Sequence, residues 1–107
     1  MSYTKADEDR IDKFRKIGCI VSHIYFGEYE DYDVHHITSG GRRMGNQYTI
    51  PLSPWLHRGV VKTGLSEDEC KEIFGPSLAH SKKAFVARFG TELELLSRVN
   101  ELIGEPK

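Results

Sequence analysis

The sequence predicts an α+β fold, a small ββα core with helices flanking it at both ends, built as a single domain over residues 1–107. Three observations predict it. Two short β-prone stretches, 34–37 and 48–50, are separated by the glycine-rich run Gly40-Gly41-Arg42-Arg43-Met44-Gly45, as in two strands joined by a loop. Ser53 followed by Pro54 reads as an N-cap and first helical residue, so a short helix should carry His57 and stop at Gly59. Ser66 with Glu69, and Thr91 with Glu94, are capping boxes that open helices at about 67–74 and 92–103.

The remaining elements follow in order. Ile11, Phe14 and Ile17 recur at helical spacing behind the acidic start Asp7-Glu8-Asp9, which predicts a first helix over 6–17 closed by Gly18. Residues 19–26 are apolar and β-branched and read as extended structure. Ser81 to Phe89 reads as a helix closed by Gly90, and Leu93, Leu96, Val99, Leu102 and Ile103 form the expected buried stripe of the last one. Trp55 is the expected apolar anchor of the short helix. The acidic run from Glu28 to Asp33 reads as a solvated loop, and His23 as a structural or exposed residue.

Composition bounds the partners. A chain of 107 residues holds one modest core. With 15 basic and 16 acidic residues the net charge is -1, so no global positive field attracts nucleic acid and any such contact must be a local patch. No apolar run of about 18 residues is present, which argues against a membrane span. The two cysteines, Cys19 and Cys70, lie far apart in a charged chain and fit a reducing, cytoplasmic compartment.

The histidines carry the chemistry. Hydrolysis of a phosphodiester needs an activated water on one side of the phosphorus and charge neutralisation of the departing oxygen on the other. Adjacent strand residues point to opposite faces, so at a strand end His35 can turn to a divalent ion while His36 turns to the attacking water. The stretch from His36 to His57 suffices for a loop, a second strand and a helical turn that brings a second imidazole back to the ion. Imidazole suits Zn²⁺ or Mn²⁺ better than Mg²⁺, which prefers oxygen. Basic residues gather in and after this region, at Arg42, Arg43, Arg58, Lys62, Lys82, Lys83 and Arg88, while the acids lie before it and around 67–72. That asymmetry favours a local phosphate-binding face, with Arg42 and Arg43 able to straddle a DNA backbone.

These residues resemble a known family. His35-His36-Ile37, Gly41-Arg42-Arg43-Met44-Gly45-Asn46, Thr49-Ile50-Pro51-Leu52, Trp55, His57-Arg58-Gly59, Gly75-Pro76-Ser77-Leu78, Phe85 and Phe89-Gly90 are similar to the His-Me finger (HNH) nucleases, and within them to phage recombination-enhancement, RecA-dependent nucleases. The resemblance spans roughly residues 19–103. It implies a metal-dependent endonuclease acting on DNA, alone or with a RecA-type filament, that uses one divalent ion (Zn, Mn or Mg). By position, it implies that His35 and His57 bind the metal, that His36 is the general base, that Asn46 orients the loop behind His36, and that His80 is a further metal ligand. The alternative is a metal-containing nucleic-acid or protein interaction module of a phage recombination system, without autonomous cleavage. Many HNH proteins add a structural zinc on two Cys-x-x-Cys pairs. The matching positions here are Cys19/Ser22 and Ser53/Leu56, a set that cannot form a Cys₄ site, so core packing is expected to hold the finger together.

Overall fold

The computed structural model describes residues 4–104. Along the chain run α1 (Lys5–Lys13), a 3₁₀ turn (Phe14–Lys16), a π-helical turn (Ser22–Phe26), β1 (Asp33–His36), β2 (Thr38–Ser39), β3 (Arg42–Arg43), β4 (Thr49–Leu52), α2 (Pro54–Arg58), α3 (Glu67–Phe74), α4 (Lys82–Phe89) and α5 (Glu92–Ile103). The class is α+β, and β1, β4 and α2 form a ββα core with helices before and after it.

β1 and β4 pair antiparallel, with His35 opposite Ile50 and His36 opposite Thr49. Ile37 donates to the Tyr48 carbonyl at 2.9 Å, which phases the ladder so that the backbone of Thr49 and Pro51 faces the open edge of β4. Pro51 has no donor to waste there. The Thr49 carbonyl is met instead by the Arg10 guanidinium, whose Nη2 donates to it at 2.7 Å.

The glycine-rich loop is itself ordered. β2 and β3 pair as a second antiparallel hairpin, with Ser39 opposite Arg42. Its two turn residues, Gly40 and Gly41, have φ of 60° and 80°. A two-residue turn with both central φ positive matches the twist of the flanking strands, and glycine adopts it without strain.

Local signals set the helix ends. Ser53 Oγ accepts from the Leu56 amide, Pro54 occupies the first turn and Gly59 closes α2 in the left-handed region. Both expected capping boxes are present, and Thr4 with Asp7 makes a third at α1.

Two expectations are corrected. Residues 19–26 are helical, not extended: Ile20 and Val21 begin a turn that continues into the π-helical residues. Left-handed glycines at Gly18 and Gly27 bound it, and full burial of Cys19, Ile20 and Val21 overrides their β propensity. In α5 the buried residues are Glu92, Leu95, Leu96, Val99 and Asn100, so Leu96 and Val99 of the expected stripe are buried, whereas Leu93 and Leu102 are exposed. The helix packs on β4 through a face that keeps Leu96 and Val99 and takes Leu95 in place of Leu93.

The core gathers Phe14, Ile20, Ile50, Leu52, Trp55, Phe85, Leu95 and Val99, with Cys19 and Cys70 buried as unbridged thiols. Trp55 fills its centre as expected, and its indole N–H donates to the Gly75 carbonyl at 2.9 Å. That bond ties the segment after α2 back onto the finger. Truncating a buried indole of this kind costs about 3–5 kcal/mol. Arg10 is also buried. It donates to Thr49 Oγ1 at 3.0 Å and Asn100 Oδ1 at 2.7 Å, so one side chain joins α1, β4 and α5. Among the described residues, no helix is long and apolar enough to cross a membrane.

Candidate metal and nuclease site

His35 and His57 come together although 21 positions and three strands, β2, β3 and β4, separate His36 from His57. Their ring centroids lie 5.0 Å apart. The cause is the period of two in β1: Asp33 and His35 share the face covered by α2, while Val34 and His36 take the other. With His57 on the first turns of α2, the two imidazoles line a cavity of about 300 Å³ together with Thr38, Leu78, Ala79, Lys82 and Glu92.

Each imidazole is held by a carboxylate. His35 Nε2 lies 2.5 Å from Glu92 Oε2, and His57 Nδ1 lies 3.1 Å from Asp33 Oδ2. An ionised carboxylate only accepts, so the nitrogen facing it carries the hydrogen. That leaves Nδ1 of His35 and Nε2 of His57 as lone-pair donors. The pattern is that of a histidine ligand oriented by an outer carboxylate. Lys82 bonds the second oxygen of Glu92 at 3.0 Å, and Arg58 bonds Asp33 at 2.7 Å, so both carboxylates are themselves anchored.

The surroundings of His35 and His36 favour the neutral imidazole. Burial lowers the pKa of His35 and outweighs the opposing pull of Glu92. His36 is also lowered, by burial first and then by the positive charge of Arg43. Burial pushes the Glu92 carboxyl up, but the bonds from His35 and Lys82 and their charges hold it below its usual value. Asp33 is likewise lowered, as Arg58 and His57 outweigh its burial. Neutral imidazole is the form that binds a metal or accepts a proton.

The donor chemistry fits a divalent ion of the zinc or manganese type, with limits. Among the described residues, no group of three or more His, Cys, Asp or Glu side chains stands in position to hold a metal. Among the described residues two imidazoles therefore stand at the cavity, fewer than the three protein ligands usual at a catalytic zinc.

The other expected residues are distributed differently. His36 ends β1 and is not among the residues lining the cavity. The Asn46 amide donates to Asp7 Oδ2 at 3.1 Å. It therefore fixes the end of the loop to α1. His80 stands apart from the cavity, with Nδ1 2.6 Å from Ser77 Oγ and Nε2 2.6 Å from Glu67 Oε1. Its ring lies 5.3 Å from that of Trp55 and packs against Gly59. Its nitrogens are engaged by Ser77 and Glu67 while its ring rests on α2 and Gly59, which ties the 60–78 segment to the helix.

Of the basic residues, Arg42 and Arg43 are exposed on β3. Lys82 lines the cavity, and Lys83 is exposed on α4. Arg58 serves Asp33, whereas Lys62 bonds both oxygens of Glu30 and covers the Phe74 ring.

Sequence reasoning missed Glu92 and Asp33. Asp33 was placed in a solvated loop, although its i, i+2 relation to His35 in a strand was a usable signal. Glu92 had none: it comes from a helix start 57 positions from His35.

Comparison with known proteins adds the lineage. No curated protein matches the chain. The family model described as recombination enhancement, RecA-dependent nuclease, matches residues 3–104, which takes in every element of the fold. The chain belongs to that family of RecA-dependent nucleases of recombination enhancement.

Proposed function

We propose that this protein is a metal-dependent endonuclease of the His-Me finger (HNH) type that hydrolyses DNA phosphodiesters in the cytoplasm and acts on DNA held by a RecA-type filament. The observation that carries the proposal is the paired arrangement of His35 on Glu92 and His57 on Asp33, which leaves one ring nitrogen of each imidazole available at a shared cavity. The family's description as a nuclease supports the same reading.

His35 and His57 would hold one divalent ion, Zn²⁺ or Mn²⁺ ahead of Mg²⁺. When bound, such an ion supplies charge neutralisation for the phosphate and the departing oxygen. The protein's own groups do the rest. His36, kept neutral by burial and Arg43, takes a proton from the attacking water through a ring nitrogen. Its position at the strand end, on the face opposite His35, suits a phosphate that crosses the end of β1. Arg42 and Arg43 on the hairpin and Lys82 and Lys83 on α4 bind backbone phosphates, and Arg58 keeps Asp33 aimed at His57. Asn46 and Asp7 hold the end of the loop that carries the hairpin.

The test is cleavage of plasmid and single-stranded DNA, with and without a RecA filament, in Mn²⁺ or Zn²⁺ and after chelation. Cutting that needs the ion and rises with the filament is expected. A protein that binds DNA and metal but never cuts would replace this reading by the interaction-module alternative.

A further inference from the structure

A second groove opens beside the histidine cavity, with a volume of about 270 Å³. Its apolar lining comes from Ile37 and Met44 on the hairpin side, Val86 of α4 and Leu93 at the start of α5, and the rest is polar, including Thr38, Ser39 and Thr91. Thr38, Lys82 and Glu92 line both this groove and the histidine cavity, so the two adjoin across a shared wall. Leu93 is 53% exposed and Met44 37% exposed, which leaves two large apolar side chains at the mouth of a candidate site for a highly charged polymer.

We propose that this groove receives one unpaired base of the DNA strand that is cut, from a nucleotide adjoining the scissile phosphate. The inference rests on the nuclease reading and gives it a substrate class, single-stranded or locally unpaired DNA. Inside a duplex, bases are stacked and show only their polar edges, for which apolar walls offer little. An unpaired base exposes both faces, and burying them between apolar side chains is favourable and tolerant of sequence. Lys82 stands where base groove and histidine cavity meet, as a phosphate contact between them requires. The charge of its partner Glu92 is offset by the Lys82 ammonium at 3.0 Å, which limits repulsion of the backbone at the shared wall. The hydroxyls of Thr38 and Ser39 at the rim can bond a base edge without selecting one base.

The test uses the full chain labelled at Met and Leu methyl groups and titrated with a short oligothymidylate, with the same oligomer carrying abasic sites, and with a blunt duplex. The Met44 and Leu93 methyl signals should shift with oligothymidylate and stay in place with the abasic oligomer and the duplex. Equal shifts with all three, or none with oligothymidylate, overturn the proposal. Cleavage gives an independent reading. Met44→Ala with Leu93→Ala, both at exposed positions, should raise KM for the single-stranded substrate about tenfold, and abasic substitution should raise it similarly in the wild type but add little in the variant. Additive effects would overturn the base groove. Methyl shifts without any cutting would leave the groove standing and sink the nuclease reading, whereas cutting without shifts would do the reverse.

Discussion

His35 and His57 differ from His80 in what their second nitrogen is doing. In the first two, one nitrogen faces a carboxylate and the ring borders an open cavity. In the third, Ser77 and Glu67 take both nitrogens and the ring is packed on Trp55 and Gly59. A histidine becomes a candidate ligand when its surroundings orient it and leave a lone pair. When they consume both nitrogens it is a brace. His35 and His57 thus each keep one ring nitrogen unengaged at a shared cavity, whereas His80 spends both on Ser77 and Glu67.

The strongest way to break this comparison is through the reactive side. His36→Ala should leave metal bound and reduce cutting by roughly a hundred- to ten-thousand-fold, the range for loss of a general base. His35→Ala and His57→Ala should lose metal as well as activity, while His80→Ala should retain the metal. Elemental analysis of the four variants decides it. Equal metal loss in His36→Ala, or loss in His80→Ala, would undo the division.

On the structural side, His80→Ala removes a ring packed on Trp55 and takes the Nδ1 partner from the buried Ser77 hydroxyl, which keeps only the residue-80 amide. A destabilisation of about 2 kcal/mol is expected in urea unfolding. Gly59→Ala should act on the same contact. Gly59 has φ of 72°, and an added Cβ would meet the His80 ring at 2.5 Å, so a loss of about 1–3 kcal/mol follows from backbone strain and crowding together. If either variant is as stable as the wild type, His80 is no brace.

A smaller effect separates exposed cations from engaged ones. Arg42→Ala with Arg43→Ala should flatten the dependence of log K on log salt by up to about two units. Lys62→Ala, which breaks the pairing with Glu30, should change that slope little. Fluorescence anisotropy at several salt concentrations measures both, and an unchanged slope in the arginine variant would move the DNA path away from the hairpin.

The mildest expectation concerns the far end of the loop. The backbone N–H of Thr4, then the amides of Gln47 and Asn46, hold the Asp7 carboxyl down at about 2 from an ordinary 3.8. A carboxylate with a depressed folded value contributes stability that is fully present above its unfolded value and is lost as pH falls through the folded one. The window therefore runs from about pH 4 down to about pH 2. Asp7→Asn should be less stable than the wild type at neutral pH, and the two should converge by about pH 2 in acid titrations followed by circular dichroism. Its metal content should not change, which distinguishes a loop anchor from the histidine site.

Much of this was legible in the chain itself, because the governing interactions are local. Caps at Ser53, Ser66, Ser81 and Thr91 bond amides three positions on, so the starts of four helices could be read directly. The alternation of a strand put His35 and His36 on opposite faces, and Pro54 and Gly59 bounded the short helix that returns His57 to the pair. The cluster of motif residues also pointed to the family.

What only the tertiary structure decided depends on partners remote in sequence. Glu92 reaches His35 across 57 positions and Arg10 reaches Asn100 across 90, distances over which no periodicity or cap carries information. Burial turned Cys19 to Phe26 into helical turns against their β propensity, and packing on β4 chose Leu95 over Leu93 as the inner face of α5. The same packing assigned His80 to Ser77 and Glu67. A local signal settles the conformation of a few residues, whereas the company a side chain keeps is settled by how whole elements close over a shared core.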